Sequence, residues 1–159
     1  MTRAFAIAAC EMRILQRNLW LVVATAIMVL FALALTFAGS APTGALGVDM
    51  LTISVASMTT LSVYLAPLLA LMISFDAIAG DADRGSLALL LSYPANRGEV
   101  LMGKFLAHLG ALAIAMVIGF GSAGAVAAWF GGAGADSLMA LTRLIVTSII
   151  LGAVFVTLG

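Results

Sequence analysis

Seven of the chain's fourteen charged residues fall between Asp76 and Lys104, and the runs on either side carry none. Met50–Phe75 is 26 residues without Asp, Glu, Lys or Arg; Phe105–Ala135 is 31 residues in which only His108 can ionise. A bilayer core of about 30 Å is crossed by about 20 helical residues at about 1.5 Å each. Two charge-free runs of that length, joined by a polar island, describe two spanning helices with a loop in water between them. This pattern excludes a soluble domain, and the composition agrees. Hydrophobic residues make up 64% of the chain and charged residues 9%, where a soluble domain has about 25% charged.

Four stretches are long and apolar enough to span: 19–39, 50–75, 105–130 and 138–159. They run well past the alternating 9–11 residues of a barrel strand, so the expected class is an all-α membrane protein. The first apolar run is longer than the core of a secretory signal peptide, and further spans follow it. Zero net charge gives nucleic-acid binding no electrostatic support. The single cysteine, Cys10, excludes an internal disulfide.

Arg3, Arg13 and Arg17 precede the first span, and Arg84, Arg97 and Lys104 lie in the island; only Arg143 stands near the other side. The positive-inside rule therefore places the N-terminus and loop 76–104 of this multi-pass protein in the cytoplasm. Residues 1–18 form a separate element. Phe5, Ala8, Met12, Leu15 and Leu19 repeat at helical spacing, with Arg3, Cys10, Arg13 and Arg17 opposite, which predicts an amphipathic helix in the membrane interface.

Within the island, Asp81 and Asp83 stand just before Gly85-Ser86-Leu87-Ala88-Leu89-Leu90-Leu91-Ser92, an arrangement that suits a helix N-terminus. Pro94 stops that element after about two turns. A helix so short must rest on something, and Leu87, Leu90 and Leu91 give it an apolar patch for lipid or a protein partner. Asn96 followed by Glu99 reads as a cap that starts the next helix, running through Gly103 and Lys104 into the third span. Gly98–Phe105 nearly spells a phosphate-binding loop, but Phe105 replaces the hydroxyl residue that holds magnesium, and no strand precedes it.

Ser57, Thr60 and Tyr64 share a face of the second span, ahead of Pro67. That face either lines a pathway or packs against another helix. Gly119 with Ala123, and Gly121 with Ala125, form small-xxx-small pairs in the third span. Nine methionines suit soft metals, but they are dispersed, and Cys10 and His108 lack a ligand one turn away; no metal site is expected. Arg143 has Asp136 or the outer interface within reach.

Gly80-Asp81, Gly85-Ser86-Leu87, Leu90-Leu91-Ser92, Pro94, Arg97 and Gly103-Lys104 resemble the first cytoplasmic loop of type-2 ABC transporter permeases. Ser74–Ile78 and Ile118–Ser122 are similar to the permeases of the nitrous oxide reductase maturation system, and the resemblance covers nearly the whole chain. It implies that the short helix is a coupling helix docking on a separate ABC ATPase subunit, made by Asp81, Asp83, Arg84, Gly85, Ser86, Leu87, Leu90, Leu91, Ser92, Pro94 and Arg97. It also implies a permease homodimer, a periplasmic maturation protein, and a role in copper-site assembly. This chain would have no catalytic residue or cofactor of its own; ATP and magnesium would sit on the partner. The family has six spans and this chain about four, so the sequence reads as the N-terminal part of such a permease. A membrane scaffold that recruits a maturation complex without transport is the alternative.

Overall fold

The computed structural model describes residues 2–16, 19–39, 50–83, 97–131, the turn 132–134 and 135–158. They form five helices: α1 (Thr2–Gln16), α2 (Leu19–Gly39), α3 (Met50–Asp83), α4 (Arg97–Gly131) and α5 (Ala135–Leu158). No strand occurs among the described residues. In lipid every backbone amide must find its partner internally, and a helix does so within its own segment. Side-chain hydroxyls follow the same logic. Thr25, Thr36, Ser57, Thr59, Thr142 and Thr147 each donate to the carbonyl four residues earlier.

Four helices, α2 to α5, are long and apolar enough to cross a membrane. Contact positions fix their directions. Gly119 of α4 lies against Met28 of α2, and Phe37 of α2 meets Phe130 of α4 edge-on, so both residue numbers rise together and α2 and α4 are parallel. Met50 at the start of α3 touches Gly131 at the end of α4. Gly124 meets Leu141 and Gly152 meets Leu112, which makes α4 and α5 an antiparallel hairpin. Its turn contains Gly132 at φ 75, the left-handed region that glycine adopts without strain. The bundle therefore has a turn end, with the α4–α5 turn, and a loop end, where α3 finishes and α4 begins.

The central element is α4. Half of its membrane-length window is buried, against 22% for α2 and α5 and 33% for α3. Two neighbouring rows at four-residue spacing explain this. Gly103, Ala107, Ala111, Ala115, Gly119, Ala123 and Ala127 are all buried and all small. Beside them run Lys104, His108, Leu112, Met116 and Phe120, also buried and large. Four residues turn a helix about 40° past a full circle, so each row spirals around α4 and meets several partners in turn. Of the two small pairs read from sequence, Gly119–Ala123 is buried, whereas Ala125 is exposed and nothing approaches Gly121.

The helices do not stop where hydropathy does. The island read as loop 76–104 divides into three parts. Residues 76–83 continue α3, residues 97–104 begin α4, and only 84–96 lie outside the described residues. Each eight-residue extension adds about 12 Å beyond the apolar run. Pro67 sits inside α3, and the helix continues through it.

Candidate functional site

The charged end of the bundle holds Asp81, Asp83, Arg97, Gly103 and Lys104 of the site residues expected from sequence. Asp81 and Asp83 belong to the last turn of α3, so they stand at a helix C-terminus rather than only ahead of a new helix. Arg97 is the first residue of α4. Arg84, Gly85, Ser86, Leu87, Leu90, Leu91, Ser92 and Pro94, and with them the expected two-turn helix, lie outside the described residues, as does the Asn96 cap. The restart itself is found: α4 opens at Arg97 with Glu99 in its first turn, where a carboxylate favours the positive end of the helix dipole.

Gly98–Lys104 is helical throughout. Its interior amides are engaged in the helix ladder rather than turned toward a phosphate, which disposes of the near-match to a phosphate loop. Lys104 has another task. It is buried, and its Nζ reaches Oε1 of Glu11 on α1 at 3.0 Å, with side-chain exposures of 7% and 15%. One turn on, His108 is buried too, and its Nδ1–H donates to the Lys104 carbonyl at 2.7 Å. A carbonyl only accepts, so Nδ1 carries the proton. Two residues further toward the membrane core, Met12 of α1 occupies the space that a Cβ at Gly110 would need. Helix α1 thus packs along the first turns of α4, with Glu11 and Met12 inward.

The amphipathic stripe read from sequence is divided by this packing. Ala8, Met12 and Leu15 are half-buried, while Phe5, Ile14 and Arg13 face outward. Cys10 is exposed. Glu11 is the residue that sequence reasoning passed over. Its only signal was a lone carboxylate on an otherwise basic helix.

Among the described residues, the face Ser57, Thr60 and Tyr64 is not an inward one, and only Ser57 is half-buried. Thr60 is exposed, Tyr64 is 72% exposed, and Ser57 bonds its own helix at the Ile53 carbonyl. The serines of α3 that make interhelical contacts are others. Ser62 and Ser148 of α5 are 2.5 Å apart, and Ser74 donates to the Val156 carbonyl at 3.1 Å. On α5, the Arg143 guanidinium donates to the Met139 sulfur at 3.3 Å. No group of three or more His, Cys, Asp or Glu side chains that could hold a metal ion occurs among the described residues.

Comparison with known proteins gives these features a family. A family model described as ABC-2 family transporter protein matches residues 5–159. A protein of Pseudomonas aeruginosa named "Probable ABC transporter permease protein NosY" is 41% identical over 145 residues, covering 90% of this chain and 53% of its own length. One of the same name in Stutzerimonas stutzeri is 38% identical over 157 residues, covering 98% of this chain and 57% of its own length. The chain therefore spans about half the length of these curated relatives. With four membrane-length helices and a match over nearly every residue, the chain belongs to the ABC-2 family of transporter permeases.

Proposed function

We propose that this chain is the membrane-embedded permease part of an ABC transporter that converts ATP hydrolysis by a separate ATPase subunit into conformational work across the bacterial inner membrane. The observation that carries this reading is the charged island. Both of its arms are helical extensions of spanning helices, so a force on residues 84–96 passes directly into α3 and α4. The six-to-one distribution of Lys and Arg supports a cytoplasmic position for that end and the N-terminus, where an ATPase would be. ATP and magnesium belong to the partner. A second permease copy and a periplasmic maturation protein complete the assembly, and the task is copper-site assembly of nitrous oxide reductase, in keeping with the resemblance to that system.

The test is co-purification with the ATPase. Charge reversal at Asp83 and Arg84 combined with Leu87→Asp is expected to abolish ATPase association and reductase maturation while the protein still inserts. Intact association and maturation in that variant would sink the coupling assignment. Maturation that survives with a hydrolysis-dead ATPase would favour the non-transporting scaffold.

A further inference from the structure

Helix α1 leads by sequence into α2, yet it hardly touches α2 and lies along α4 instead. Two side-chain contacts hold it there, beside a third, buried group on α4. Lys104 and Glu11 form a shielded ion pair at 3.0 Å. Met12 fills the space left by the missing side chain of Gly110. His108, bonded to the Lys104 carbonyl, is buried on the same turn of α4. Lys104 is seven residues from the start of α4, about two turns from the point where segment 84–96 hands over to the helix. The outward side of α1 presents Phe5, Ile14 and Arg13.

We infer that α1 and the first turns of α4 move as one rigid body, and that the Glu11–Lys104 pair is the fastening between them. Parting the pair would take the ammonium away from the Glu11 carboxylate in a setting that water reaches poorly, which is costlier than keeping them together. Among the described residues α1 meets α2 far less than it meets α4, so this body turns relative to α2. A displacement of segment 84–96 then rotates α1 within the membrane surface. Glu11 and Lys104 are positioning residues: they touch no substrate and act through the helices they join. The inference rests on the permease reading in one respect, that an ATPase moves the loop.

The experiment uses the chain as the cell makes it, in complex with its ATPase in lipid nanodiscs. In a Cys10→Ala background, spin labels are placed at Arg13→Cys on α1 and Leu101→Cys on α4, both exposed positions. Their separation is measured by pulsed electron paramagnetic resonance, nucleotide-free and ATP-trapped. It should agree between the two states to within about 2 Å, the scale of ordinary helix shifts. A larger change in the wild-type background overturns the inference. Charge exchange supplies an independent arm. Glu11→Lys and Lys104→Glu should each lower reductase maturation at least about tenfold and broaden the label distance, because a like-charge pair cannot close. The exchanged double variant should recover to within about threefold, with a narrow distance restored. A folded double variant as impaired as the singles also overturns it. Loss of the ATPase from the wild-type complex would instead remove the permease reading. The pair would then be judged by whether the exchange restores the thermal unfolding midpoint that the single variants lower.

Discussion

At the α1–α4 junction, Lys104 meets Glu11 at 3.0 Å; at the α3–α5 seam, Ser62 meets Ser148 at 2.5 Å. Both contacts are polar and both are shielded, but they differ in what remains when they part. The Ser148 hydroxyl also lies 2.6 Å from the Leu144 carbonyl of its own helix, as helical serines commonly do. Separated, each seam hydroxyl has a carbonyl one turn back to fall back on. The seam can therefore slide by a fraction of a turn at little cost. The Glu11 carboxylate only accepts, so no carbonyl of its own helix can stand in for the lysine, and parting this contact costs more. Within one small bundle the same surroundings yield one interface that tolerates shear and one that resists it.

The largest test of this difference is removal of one charge. Lys104→Met leaves the Glu11 carboxylate shielded against an apolar side chain and should lower stability by about 3 kcal/mol, read by thermal unfolding in detergent. A loss as small as that of a surface pair would erase the distinction. Next come the close helix contacts, where the identity of the crowding atom decides. A Cβ at Gly131 would meet the Cβ of Met50, which cannot swing away, so Gly131→Ala should cost about 2 kcal/mol. A Cβ at Gly124 would meet the end of Leu141, a flexible side chain, and Gly124→Ala should cost less than about 1 kcal/mol in the same assay. A smaller effect is expected at the seam. A double-mutant cycle of Ser62→Ala with Ser148→Ala should give a coupling of about 0.6 kcal/mol, typical of hydroxyl contacts between membrane helices. A coupling of several times that size would show the seam to be as binding as the junction. Last, the exposed Cys10 thiol should take a membrane-impermeant maleimide from the side that carries the N-terminus, with no change in stability. Protection there would mean that the outward face of α1 is covered.

Much of this architecture could be read from residues alone, and the reasons are specific. The bounds 19–39 expected for the first span are those of α2, because a run with no charged interruption leaves hydropathy little to misplace. The restart within the island was legible because Glu99 is a local signal, lying within the first turn of the helix it starts. The ends of α3 and α4 were not. Hydropathy measures the part of a helix in lipid, and both helices continue into water, where Asp76–Asp83 and Arg97–Lys104 are equally at home in a helix. The choice of α3 face also went differently. Ser57, Thr60 and Tyr64 are as regularly spaced as Ser54, Ser62 and the rest of the buried row. In water, the polar face of a helix points outward. With lipid outside, that rule is gone, and spacing cannot separate an inward row from an outward one. Glu11 was missed for a third reason: its partner lies 93 positions away on α4, and no local pattern encodes a contact of that range.

The eight-residue extensions at the loop end have a mechanical meaning. From Arg97 to the middle of the apolar part of α4 is about 20 residues, an arm of about 30 Å pivoting in the centre of the bilayer. Tilting such an arm by about 5° carries its tip sideways by about 2–3 Å, within the range of helix shifts that switch proteins use. The same tilt barely disturbs packing near the pivot, where the small-residue row lets neighbouring helices lie close. Leverage of this kind lets a push outside the membrane be felt inside it as a gentle rotation, without any helix having to break.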